Sequence, residues 1–209
     1  MALVVSDQPC ACAAVFTQNV FCSAPVTVSR EHLGAQAGLP AYGTARAVVV
    51  NSGNANAATG EPGLEAARAT ARMVGRVVGC PDEEVMVAST GVIGEHLPLE
   101  PCERGLPLAV ESLAANGGAD AARAFLSRNG LTGPGIMTTD TCSKQAAVSF
   151  AGETIGYPGC TFTVGGMAKG SGMIMPDMAT MIAVISTDAP VLPDVLHRAL
   201  SGVIANTFN

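Results

Sequence analysis

The passage GGMAKGSGMIMPDMATMIAVISTDA, residues 165–189, constrains this chain more than any other stretch. Its second half, TMIAVIS (180–186), is apolar at both alternating positions, so it reads as a central strand covered on both sides. Its first half is glycine-rich, and such glycines can let backbone amides come close to a ligand or to another strand. A buried strand that follows such a loop requires further strands beside it and layers above and below.

The rest of the sequence supplies them. ARAVVVNSG (45–53) reads as a Val-rich strand ending in a turn, and EVMVAST (84–90) as a second strand breaking at GVIG. Between them Leu64, Ala67, Ala71, Val74 and Val78 share one helical face. That spacing predicts a strand–helix–strand unit. Arg68, Arg72 and Arg76 fall on another face at four-residue spacing and read as its solvated side. Residues 103–115 and 119–128 look helical, AAVSF and CTFTVGG look like strands joined by a turn, and PVLPDVLHRALSGVIANTF is amphipathic.

Composition narrows the function. A formal charge of −6 argues against nucleic acid or an anionic membrane as the main partner. No apolar run approaches the roughly 18–20 residues that cross a bilayer. The opening MALVVSDQPCACAAVFTQN has no basic lead-in and too short an apolar run for a secretory leader, which sets a cytoplasmic expectation. The seven cysteines contain no CxxC pair, and only three histidines could supplement them, so no metal site is expected.

Two familiar readings of the glycine loop fail. In GGMAKGSG, Lys169 precedes the second glycine of a P-loop spacing instead of following it, and no window spells GxGxxG after a strand. Thr180 offers different chemistry. It can simply be a β-branched residue heading a strand. It can also be a nucleophile: if the bond from Ala179 is cut, the new α-amine, with an ordinary pKa of about 7.7–8.0, stands beside Oγ as a general base. The same Oγ can make that cut through the Ala179 carbonyl, and no histidine is required. STGVIG (89–94) places a hydroxyl, Thr90, and an amide, Gly91, where an oxyanion could be held, though an ordinary strand-ending turn explains it as well. GIMTTDTCSK (135–144) and NSGNANAATG (51–60) are polar clusters that turns alone could account for.

Taken together, FTQNVFCSAPV, NSGNANAATG, STGVIGEHLP, IMTTDT, GGMAKGSGMIMPDMATM and STDAP, in that order, resemble the ornithine acetyltransferase (glutamate N-acetyltransferase) family. The resemblance implies an α+β fold with a two-layer β-sheet core flanked by helices, αββα-like, shared with certain self-processing aminopeptidases. It implies self-cleavage between Ala179 and Thr180, dividing an alpha-chain-like region (1–179) from the start of a beta-chain-like region (180–209). Thr180 would carry acetyl from N2-acetylornithine to glutamate in arginine biosynthesis. Thr90 and Gly91 align with the family's oxyanion pair, and Thr139 and Lys169 with positions that contact substrate. No cofactor is implied, and acetyl-CoA as a second donor is left open. The implied assembly is a heterotetramer of two alpha and two beta chains.

Two departures accompany the match. FLSRNGLTGPG, before IMTTDT, looks like an insertion. The family is about twice as long, starts earlier and places further substrate ligands in the chain that begins at Thr180, of which this sequence has thirty residues. The expectation is therefore a fragment carrying the nucleophile motif. A hydrolase passing the same acyl group to water, and a non-catalytic remnant, are the competing readings.

Overall fold

The computed structural model describes residues 1–34, 40–126, 136–137, 140–170 and 181–208. Two three-stranded sheets form the frame. The first contains β1 (Ala2–Ala14), β2 (Ala41–Asn54) and β3 (Val85–Val92) in that order; β1 runs antiparallel to β2, and β2 parallel to β3. The parallel pair is joined through α2 (Gly60–Val78), as the strand–helix–strand spacing predicts. Gly79 ends that helix in the left-handed conformation, φ 77°, its N–H donating to the Gly75 carbonyl.

Each face of the first sheet buries a different partner because its strands are apolar on both. On one face Leu3, Ala47, Val49, Val85 and Val87 meet α1 (Ala24–His32), α2 and α3 (Glu100–Glu111) through Val28, Ala67, Ala71, Val74 and Leu106. Burying each such valine or leucine contributes about 1.5–3 kcal/mol. On the other face Ala2, Val50 and Ala88 meet Ile136, α4 (Gly118–Leu126) through Ala122 and Leu126, and the second sheet.

That second sheet has the order β4 (Lys144–Ala151), β5 (Thr161–Lys169), β6 (Ile182–Thr187), antiparallel throughout. Met167, Ile182 and Val184 face the first sheet. The opposite face carries Val148, Val164 and Ile185, exposed by 66%, 38% and 46%. The expectation of a central strand at TMIAVIS is corrected here. Among the described residues, its described part, β6, lies at a sheet edge and is covered on one face only. α5 (Pro193–Thr207) follows β6 and packs along β1 and β2, with Tyr42 and His197 ring centroids 5.9 Å apart.

Among the described residues, the β3 edge is met by side chains rather than by another strand. Ser29 Oγ donates to the Val87 carbonyl at 2.8 Å and accepts from the Val87 N–H at 2.9 Å, while His32 Nδ1 lies 2.8 Å from the Val85 carbonyl. Helix α1 thus fixes the strand that carries Thr90 and Gly91.

Candidate active site

Thr90 and Gly91 lie within β3, paired with Ser52 and Gly53 of β2, and not on a separate turn after it. Thr90 is buried. Gly91 has φ 142°, and a β-carbon there would stand 2.2 Å from the Gly53 carbonyl carbon and 2.4 Å from the Asn54 nitrogen. Only glycine fits, so the amide of residue 91 is carried on backbone that no other L-residue could adopt there.

The segment NSGNANAATG proves to be the scaffold of this corner. Asn54 Oδ1 accepts from the Asn56 N–H at 2.7 Å, and Asn54 Nδ2 donates to the Glu95 and His96 carbonyls at 3.1 and 3.2 Å. Asn56 is fully buried at φ 46°; its Nδ2 donates to the Gly63 carbonyl and its Oδ1 accepts from Thr59 Oγ1, each at 2.9 Å. Asn51 Nδ2 donates to the Asn54 carbonyl at 2.9 Å, and Ser89 Oγ bonds Asn51 Oδ1. These amides bridge β2, the start of α2 and the loop after β3. The left-handed backbone that asparagine tolerates was the sequence signal for this role.

Lys169 closes β5 and pairs in register with Ile182. It is 1% exposed, the largest of the fully buried side chains. By strand alternation Lys169 shares the face of Met167, and Thr90 that of Ala88. Met167 and Ala88 belong to one cluster between the sheets, so Thr90 and Lys169 extend its two sides. Thr139, Ala179 and Thr180 lie outside the described residues, as does most of the expected insertion. In sequence, Thr180 stands two positions before Ile182, another member of that cluster.

Next to Lys169 is a group that sequence reading left inside a polar cluster. Asp140 is 1% exposed, and its Oδ1 accepts from Lys144 Nζ at 2.9 Å and from the Gly170 N–H at 2.8 Å. Burial by itself pushes its carboxyl up. The bonds from Lys144 and Gly170, with the charges of Lys144 and Lys169, outweigh burial and hold it below the usual carboxylate range. Burial pushes the Lys169 ammonium down, Asp140 offsets part of that, and Lys144 adds to it. Among the described residues, no cluster of three or more His, Cys, Asp or Glu could hold a metal, and no helix is long and apolar enough to cross a membrane.

A profile of the ArgJ family matches residues 1–209. The chain belongs to the ArgJ family. It is 46% identical over 209 residues to the arginine biosynthesis bifunctional protein ArgJ of Thermosynechococcus vestitus, covering 100% of this chain and 45% of that protein. The ArgJ of Methylococcus capsulatus is likewise 46% identical, over 99% of this chain and 45% of its own length. This ArgJ-family chain thus spans about half the length of the curated relatives it matches. Among solved structures, ArgJ of Bacillus halodurans superposes with a TM-score of 0.67 at 36% identity, over 85% of this chain and 81% of that one. Ornithine acetyltransferase of Mycobacterium tuberculosis, complexed with ornithine, gives the same score and identity over 85% and 82%. These similarities establish the mixed α+β architecture of two sheets flanked by helices as that of ArgJ structures.

Proposed function

We propose that this chain carries the nucleophile-bearing part of a glutamate N-acetyltransferase that moves acetyl from N2-acetylornithine to glutamate in arginine biosynthesis. The observation that supports the reading is that Thr90 and Lys169 each stand two residues beyond a member of one inter-sheet cluster, Ala88 and Met167, with Thr180 two residues ahead of its member Ile182.

The chemistry follows in balanced steps. Thr180 Oγ attacks the Ala179 carbonyl, the Ala179–Thr180 C–N bond breaks, and the hydroxyl proton goes to the departing nitrogen. Water opens the resulting ester, leaving the Ala179 carboxylate and a Thr180 with both hydroxyl and amine. That amine takes the Oγ proton as Oγ attacks the acetyl group of N2-acetylornithine, then delivers it to ornithine as the C–N bond breaks. The glutamate amine attacks the acetyl ester, Oγ leaves and regains a proton, and N-acetylglutamate departs. Each tetrahedral oxyanion would be met by the Thr90 hydroxyl and the Gly91 N–H. Lys169, with Thr139, would meet substrate, the lysine as a point charge for a carboxylate. No cofactor enters these steps, and the reading places the enzyme in the cytoplasm. Acetyl-CoA as an additional donor fits the word bifunctional in the relatives' names.

Coverage supports the internal cut. The solved chains are matched over 81–82% of their length and the curated relatives over 45%, the ratio a cut near the middle would produce. The apolar face of β4–β5–β6, left exposed by the described residues, supports a partner chain, because a patch of this kind ordinarily marks an interface. We assign it to the further polypeptide present in the relatives, within an assembly of two alpha and two beta chains.

Intact-mass measurement tests the first step: pieces beginning at Thr180 are expected from the wild type and none from Thr180→Ala. Product analysis with N2-acetylornithine, run with and without glutamate and with the complementary polypeptide present, tests the second. N-acetylglutamate formation is expected; acetate release indifferent to glutamate would make the protein a hydrolase, and an uncut chain without transfer a non-catalytic one.

A further inference from the structure

Among the described residues, the only buried Asp, Glu, Lys or Arg side chains are Asp140 and Lys169, and they are neighbours. An unpaired buried ion costs several kcal/mol. Asp140 is correspondingly well engaged: Oδ1 accepts from Lys144 Nζ and from the Gly170 N–H, and its charge reaches Lys169. Gly170 sits at φ 146°, a conformation that L side chains rarely adopt, and is the last described residue before 171–180. The last described backbone amide before residues 171–180 is therefore held by a buried carboxylate.

We propose that Asp140 is a positioning residue: it holds the Gly170 backbone and the Lys169 ammonium in fixed relation, at the root of the segment carrying Thr180. Its functional consequence rests on the acyl-transfer reading above. The carboxylate touches no reacting atom in that scheme. It acts through the two groups that would, anchoring the main chain of one and favouring the charged form of the other. Lys144 completes the device from the start of β4, so the carboxylate joins the strand roots of β4 and β5.

The test compares Asp140→Asn, which keeps an acceptor oxygen, with Asp140→Ala, which has none. In the whole chain, with Thr180→Ala as an uncut background, amide exchange at Gly170 is followed by NMR. Asp140→Ala is expected to speed that exchange roughly tenfold or more, the equivalent of losing one bond to a charged group, and Asp140→Asn to restore part of the protection. On the Thr180 chain, intact mass is expected to show slowed cleavage in Asp140→Ala and partial rescue in Asp140→Asn. Unchanged Gly170 exchange in either folded variant overturns the proposal, as does cleavage of folded Asp140→Ala at the wild-type rate. Should Asp140→Ala fail to fold, Asp140→Asn decides: intermediate protection supports the proposal and full protection overturns it. A wild type that stays uncut counts against self-processing, and Gly170 exchange still decides the role of Asp140.

Discussion

Gly91 approaches Gly53 so closely that a β-carbon on Gly91 would stand 2.2 Å from the Gly53 carbonyl carbon. The contact joins two glycines on neighbouring parallel strands, where β2 begins to lose regular register with β3. The atoms that a β-carbon on Gly91 would meet are backbone and cannot swing aside. Gly91→Ala is therefore expected to destabilise the fold by about 2–4 kcal/mol, through the steric clash and the positive φ together. Thermal unfolding measures it, and a wild-type midpoint would show that the strands can separate at no cost.

Thr90 separates chemistry from stability. Thr90→Val keeps the shape and removes the hydroxyl. Acetyl transfer is expected to fall by about 10²–10³-fold, as for an oxyanion donor. Steady-state kinetics beside a melting curve would check it, and wild-type turnover would remove Thr90 from the mechanism.

Asn56 should matter to folding more than to turnover. Its side chain satisfies the Gly63 carbonyl and the Thr59 hydroxyl from a fully buried position. Asn56→Ala leaves both without that partner at a cost of about 1–3 kcal/mol, read as a lower urea midpoint.

The proposed cut between Ala179 and Thr180 falls, in chain order, between two paired strands, β5 and β6, whose register runs from Val164–Thr187 to Lys169–Ile182. A cut there leaves the antiparallel ladder whole. Cleaved pieces are expected to co-elute under native conditions and to separate only in denaturant, which size-exclusion chromatography with mass detection can follow. Separation in native buffer would mean that the strand pairing is too weak to retain the short piece.

Asp140 sets a pH dependence. Its folded pKa is depressed, so its contribution is present above the unfolded value of about 3.9 and is lost as pH falls through the folded value. The melting temperature of the wild type is expected to drop more between about pH 5 and pH 2 than that of Asp140→Asn. Parallel acid titrations in the two proteins would contradict the assignment.

Much of the frame was legible in the sequence. The spacing of Leu64, Ala67, Ala71, Val74 and Val78 fixes a helix and its buried face, since a 3.6-residue period has one way to turn toward a core. Chain order then makes β2 and β3 parallel. The motif order singled out Thr90, Gly91 and Lys169 as candidates. Apolar content at TMIAVIS misled, because it reports what a strand can bury and not what covers it; β6 lies at an edge with Ile185 46% exposed.

By itself, then, the sequence determined the local elements and the candidate chemical groups, because periodicity and residue type act at short range. Tertiary structure decided which groups meet. Asp140 and Gly170 are thirty positions apart and Ser29 and Val87 fifty-eight, and their bonds exist only after the layers have packed. Whether a buried charge is tolerated depends on partners brought from other strands, and that information is in the fold.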